Sequence, residues 1–255
     1  MQLFFRKSGS GPPLIILHGL FGLSDNWATL ARRWSERFTV HAVDLRNHGQ
    51  SPHAEEWDYD VMSDDVVELI RAEQLQQVRL IGHSMGGKVA MRLALDHPAL
   101  VQRLVVADIA PRAYVKNQRD VVEALLSVDM ENLASRKDAE AQLGQRIQDP
   151  GTLQFLLKSL YRKENGGEKK FTWRFNLEVI GRKLENISEA TNQPAPCFVD
   201  TLFVRGERSD YIGSEDETEI AGVFPHSQIV TIPGAGHWVH AEQPELFFEA
   251  ADRFL

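Results

Sequence analysis

Six short, continuous apolar runs, each closed by turn-forming residues, constrain this chain more than any other feature. They are PLIILHG (13–19), FTVHAVDL (38–45), VRLIGHS (78–84), LVVADIAP (104–111), TLFVRGE (201–207) and QIVTIPG (228–234). Runs without polar alternation must be covered on both sides, and strands covered on both sides are the mark of a parallel sheet. Parallel neighbours need crossover connections, and the segments between the runs supply them. NWATLARRWSERF (26–38) and VMSDDVVELIRAEQL (61–75) repeat apolar residues at helical spacing, as do KVAMRLALDHP (88–98) and PELFFEAADRFL (244–255). The fold class is therefore α/β, a mostly parallel sheet with helices on both faces.

One interval breaks this rhythm. Residues 112–196 read as helices at RDVVEALLSV (119–128), AEAQLGQRI (139–147) and GTLQFLLKSLY (151–161). A polar, glycine-containing hinge, RKENGGEKK (162–170), and the aromatic-dense FTWRFNLEVI (171–180) follow. The expected organisation is a core of residues 1–111 and 197–255 with a helical cap, 112–196, inserted between two core strands. A length of 255 residues, 43% hydrophobic, suits one domain with such an insertion. The net charge is −8 and no block of Lys and Arg forms a basic stripe, which argues against a nucleic-acid partner. Cys197 is the only cysteine, cannot form an internal disulfide and reads as a small buried apolar residue. The start, MQLFFRKSGSG, has too short an apolar run for a signal peptide, and no run approaches the ~20 residues of a membrane span. A cytoplasmic protein is the expectation.

Open α/β sheets bind ligands outside the carboxyl ends of their strands. Those ends carry Ser84, Asp44, Asp108, His18, the Ser209–Asp210 pair and His237. Ser84 sits among Gly82, Gly86 and Gly87 where a strand meets a helix. It is either a simple helix cap or a nucleophile held out on a sharp turn. A nucleophilic serine needs a base, and the base needs a carboxylate to orient it. GAGHWVHAEQPE (234–245) offers His237 in a glycine-flanked loop, whereas His240 falls nearer the last helix and reads as structural. The Met85 N–H, at a helix start, and the Leu20 N–H, after His18–Gly19, are candidate oxyanion donors; an ordinary turn is the other reading of HGLFG. Asp44 reads as a loop anchor acting through Arg46 and the nearby backbone, which leaves Asp108 and Asp210 as candidate acids. If FTWRFNL is extended, Phe171, Trp173 and Phe175 share one face, either as an acyl wall or as a seal onto the sheet. No HExxH or CxxC spacing points to a metal.

With these residues in place, the chain resembles the α/β-hydrolase superfamily over essentially its full length. GHSMG matches the family's G-x-S-x-G, and the order Ser, Asp, His follows the family's order. It more closely resembles the YbfF-type bacterial serine esterases, through HGLFGLSDNW, VDLRNHGQSP, IGHSMGGK, DIAP, FLLKS, WRFN and GAGHWVHAE. The resemblance implies an α/β-hydrolase fold and a carboxylic ester hydrolase without a cofactor. Its partner would be a small-molecule ester, with acyl-CoA-type thioesters within its chemistry. Superfamily members usually carry the acid at the position of Ser209, in RGERSDYI; the YbfF-type group lacks it there and is taken to use the aspartate of DIAP, here Asp108. The surroundings agree, because LVVADIAP is apolar up to Asp108, and a buried carboxylate needs a partner such as His237. Asp210 lies among Glu207, Arg208 and Ser209, and Ser209 is a candidate fourth member of the Asp–His pair.

The expected site is thus Ser84, Asp108 and His237, with the Leu20 and Met85 N–H groups for the oxyanion. Phe21, Trp173 and Trp238 are the candidate substrate contacts, and no metal is expected. A C–C bond hydrolase or a cofactor-free perhydrolase would use the same residues. A non-catalytic scaffold on the same fold would have little reason to keep them together. Dehalogenases and epoxide hydrolases place aspartate where this chain has Ser84.

Overall fold

The structure, a computed structural model, describes residues 1–114, 118–165, 168–191 and 195–255. The central sheet contains β1 (Phe5–Ser8), β2 (Pro13–Leu17), β3 (Thr39–Val43), β4 (Val78–His83) and β5 (Val101–Ala107). Between β5 and the two remaining sheet strands lies a hairpin, β6 (Leu160–Asn165) and β7 (Glu168–Trp173); β8 (Asp200–Gly206) and β9 (Ser227–Ile232) then complete the sheet. The helices are α1 (Ala28–Trp34), α2 (Tyr59–Ala72), α3 (Met85–Asp96), α4 (Arg119–Leu126) and α5 (Arg136–Leu143), followed by α6 (Pro150–Lys158), α7 (Leu177–Arg182), α8 (Asp216–Val223), α9 (Val239–Glu242) and α10 (Pro244–Phe254).

The sheet order is β1-β3-β2-β4-β5-β8-β9, with every pair parallel except β1 against β3. The apolar runs are continuous because alternate residues feed opposite faces. In β2, Ile15 and Leu17 join one buried cluster, to which α2, α3 and α8 contribute Val66, Val89 and Ile220. Leu14 and Ile16 join a second cluster on the other face, to which α1 and α10 contribute Trp34 and Phe247. Helix starts follow local chemistry. Asp58 accepts from the Val61 N–H at 2.9 Å to open α2, and Asp149 accepts from Thr152 at 2.6 Å to open α6, with Pro150 in its first turn.

Two features depart from the pattern in the sequence. β1 lies on the sheet edge, and its exposed RKS side chains carry no apolar run to announce it. The segment 162–170 is not a hinge. Its described residues form the arms of the β6–β7 hairpin, paired from Leu160 with Trp173 to Asn165 with Glu168. The polar side chains of Arg162, Lys163, Glu164 and Lys170 in these arms are exposed, and the Arg162 guanidinium covers the Phe171 ring at 4.7 Å. Residues 166–167 lie outside the described residues. Among the described residues, no helix is long and apolar enough to cross a membrane.

Candidate active site

Because β4 and β5 are neighbours, and β8 and β9 follow, the carboxyl ends of four adjacent strands converge on one place. Ser84 stands at the β4–α3 corner with φ 51° and ψ −117°, a conformation that costs a non-glycine residue roughly 1–3 kcal/mol. It occupies the N-cap position of α3, yet its side chain makes no capping hydrogen bond. The helix-cap reading therefore loses its physical basis. The glycines have a different purpose, close approach. A Cβ on Gly82 would sit 2.3 Å from the Gly86 carbonyl oxygen, and one on Gly86 would sit 2.5 Å from the carbonyl oxygens of Leu17 and His18. Gly82→Ala should accordingly cost ~1–3 kcal/mol through overpacking, read as a lower urea midpoint at unchanged m.

Asp108 is fully buried at the end of β5, with φ 53°. Its Oδ1 accepts from the Gly206 N–H at 2.9 Å, and its Oδ2 accepts from His237 Nδ1 at 2.8 Å and from the Ser209 hydroxyl. Since a carboxylate only accepts, His237 carries its proton on Nδ1 and leaves Nε2 as an acceptor. Asp210 is exposed one residue beyond Ser209, and the carboxylate hydrogen-bonded to His237 Nδ1 is that of Asp108. Two ring neighbours further restrict His237. Tyr211 stacks on its imidazole with centroids 3.8 Å apart, and His83 Nε2–H donates to its backbone carbonyl at 2.9 Å. Burial pushes His83 well below the usual imidazole range, so it stays neutral and structural. His240 stacks on Trp27 at 4.1 Å, and burial pushes it down to about 3.

The loop carrying Leu20 is built from buried neutral histidines. His18 Nδ1–H donates to the Gly19 carbonyl at 2.8 Å while its Nε2 accepts from the Leu45 N–H at 3.0 Å. Burial pushes His18 down to about 4. The Phe21 N–H reaches His48 Nε2 at 3.3 Å. Among the described residues, the Leu20 and Met85 N–H groups have no partner, and both residues border the same cavity as Ser84 and His237. Asp44 anchors the neighbouring loops through backbone N–H groups, as the sequence suggests, and not through Arg46. It accepts from the Ser24 and Gln50 N–H groups at 2.7 and 2.9 Å, while Arg46 forks onto the buried Asp65 at 2.6 and 2.9 Å.

The cavity measures about 220 Å³. Of the three candidate substrate contacts, Phe21 and Trp238 line it and Trp173 does not. Trp173 lies parallel to Phe175 at 5.6 Å, and Phe175 in turn touches the back of Phe21 at 5.0 Å. Backbone bonds explain the correction. The Gly49 N–H donates to the Arg174 carbonyl at 2.5 Å and the Asn176 N–H to Asn47 at 2.8 Å, which turns this aromatic face onto the 45–50 loop. The cavity walls come instead from Tyr59, Tyr114, Gln118, Phe155, Leu156 and Tyr211. Of these, Tyr211 had a signal in the sequence, since it directly follows the Ser209–Asp210 pair at a strand end. Among the described residues, no cluster of His, Cys, Asp and Glu could hold a metal ion.

A family model described as alpha/beta hydrolase fold matches residues 12–244. The chain belongs to the α/β-hydrolase family, and within it to the esterase and lipase type. It is 35% identical over 251 residues to Esterase YbfF of Escherichia coli, covering 98% of this chain and 95% of that protein. It is 39% identical over 252 residues to the mouse (Mus musculus) protein named sn-1-specific diacylglycerol lipase ABHD11, covering 96% of this chain and 81% of that one. A solved structure titled Marine microorganism esterase superposes with a TM-score of 0.96 at 44% identity, covering the whole of both chains.

Proposed function

We propose that the protein hydrolyses carboxylic esters of small molecules through an acyl-enzyme on Ser84, with His237 as base and Asp108 as its orienting acid. One observation carries this reading. The uncapped, strained Ser84 opens onto the same cavity as a histidine whose Nδ1–H donates to a buried carboxylate at 2.8 Å, leaving Nε2 to take a proton. In the first step Ser84 Oγ attacks the ester carbonyl and passes its proton to His237 Nε2. The Leu20 and Met85 N–H groups, without a partner among the described residues and on residues that line the cavity, would receive the oxyanion. His237 then protonates the departing alcohol, and a water activated by the same imidazole releases the acid. Thioesters need only a thiol in place of the alcohol.

In this reading residues 112–196 act as a cap, because Gln118, Phe155 and Leu156 from that interval roof the cavity. No Asp, Glu, Lys or Arg side chain lines the cavity among the described residues. The acyl group it suits is therefore uncharged, since an unpaired buried carboxylate costs several kcal/mol. A fluorophosphonate should label Ser84 and no other serine. Neutral p-nitrophenyl esters should also be cleaved with kcat/KM at least ~100-fold above the matched half-esters of dicarboxylic acids. Equal rates on the two series would sink the uncharged-acyl reading. Absence of labelling would sink the hydrolase reading itself.

A further inference from the structure

One turn beyond Ser84 on α3, a lysine is fully buried and takes no part in the chemistry proposed above. The Lys88 ammonium donates to three carbonyls: Pro111 at 2.8 Å, Arg112 at 2.6 Å and Glu189 at 3.0 Å. Pro111 and Arg112 lie where the chain leaves the core after β5, and Glu189 lies where it comes back. These two passages are also bonded to each other, Tyr114 N–H to Ser188 at 2.8 Å and Thr191 N–H to Pro111 at 2.8 Å. Tyr114, Ile187 and Ser188 from the same passages are cavity wall.

We propose that Lys88 is a positioning residue that clasps both ends of the 112–196 interval to the helix beginning at Ser84, and so fixes the far acyl wall relative to the nucleophile. The proposal rests on the esterase reading. Its physical basis is a match of three N–H donors to three acceptors, which only the protonated amine provides. A neutral amine has two donors and a lone pair, and one carbonyl would then face that lone pair.

Burial pushes the Lys88 ammonium down to about 7, with Glu219 on α8 opposing and Arg112 assisting. The other groups facing it are the rings of Tyr114 at 5.3 Å and Tyr59 at 5.9 Å. Burial pushes both phenols up, so they stay uncharged. The clasp is thus half-protonated near pH 7, fills as the pH falls below that and loosens as it rises. Global stability changes in the opposite sense. The folded value lies below the ordinary 10.5, so the unfolded chain holds more protons in between, and stability from this group rises with pH. Loosening of the clasp is therefore local and separable from unfolding.

The test compares wild type with Lys88→Met on p-nitrophenyl acetate and hexanoate between pH 6.5 and 9, alongside amide exchange at Tyr114 and Thr191. The acetate reports on the Ser84 end alone, whereas the longer chain reaches the clasped wall. In Lys88→Met the ratio of hexanoate KM to acetate KM should rise about five- to tenfold, the equivalent of one lost hydrogen bond or slightly more. That ratio should be flat with pH in the variant and should climb with pH in wild type. The two amides should exchange faster in the variant, and faster in wild type at pH 9 after correction for intrinsic rates. Unchanged ratios and unchanged protection in the variant would overturn the proposal. If Lys88→Met does not fold, a pH-independent ratio and constant protection in wild type would do the same. Amide exchange needs no turnover, so a chain that cleaves neither ester would refute the esterase reading and leave the clasp decided by exchange alone.

Discussion

Ser84→Ala should lower kcat on a p-nitrophenyl ester by about 10⁴ to 10⁶ while leaving the circular dichroism spectrum and the urea transition in place. The size of the effect follows from what the hydroxyl does in the proposed reaction. Without it no acyl-enzyme forms, and the cavity and the Leu20 and Met85 N–H groups can only assist water. The fold should be indifferent, because the Ser84 side chain makes no capping bond to lose. A companion variant sharpens the point. At φ 51° and ψ −117° a Cβ is a source of strain, which Ser84→Gly removes and Ser84→Ala keeps. Ser84→Gly should be equally inactive yet more stable than Ser84→Ala by about 1 kcal/mol, read from denaturant midpoints. Substantial turnover by either folded variant, freed of wild-type contamination, would defeat the Ser84 mechanism.

Asp108→Asn should lower kcat by about 10⁴, as the same exchange does in the serine-protease example. Asp210→Asn should lose less than about tenfold, since exposed charges remote from the reacting atoms have weak effects. Asp108 Oδ2 receives the His237 Nδ1–H at 2.8 Å and the Ser209 hydroxyl as well, and Oδ1 receives the Gly206 N–H at 2.9 Å. An amide can keep its oxygen on Gly206, but then presents NH₂ to His237. The imidazole must turn its lone pair to that amide, and the proton moves to Nε2, where it blocks transfer from Ser84. Asparagine also tolerates the positive φ of 53°, so the backbone should remain as it is. The residual activity should climb at high pH as hydroxide replaces the lost base. A collapse in Asp210→Asn with near-normal Asp108→Asn would reverse the assignment.

The elements that were legible share one property: their signal lies within a few consecutive residues. Continuous apolar runs such as PLIIL name strands covered on both faces, and helical spacing in the 59–72 region names α2. Close backbone crossings demand Gly82 and Gly86 at the corner regardless of anything distant. The edge strand β1 was illegible because half of its surroundings is solvent, and the hairpin because its polar arms imitate a loop. Trp173 was misplaced for a related reason. Alternation in FTWRFNL shows that Trp173 and Phe175 share a face, but which surface that face meets depends on hydrogen bonds to Asn47 and Gly49, more than a hundred residues away.

The sequence by itself determined the fold class, the corner serine and the loop holding His237, because apolar period, glycine spacing and turn chemistry act locally. Only the tertiary structure decided which partners those residues meet. Asp108 and His237 are 129 positions apart, Asp108 and Ser209 101, and Lys88 and Glu189 101. Contacts at that separation are set by the sheet order β4-β5-β8-β9, which brings the ends of distant strands side by side. Burial then selects among chemically equal candidates. It encloses Asp108 where a carboxylate must find partners, and it leaves Asp210, the same residue type after the neighbouring strand, in water.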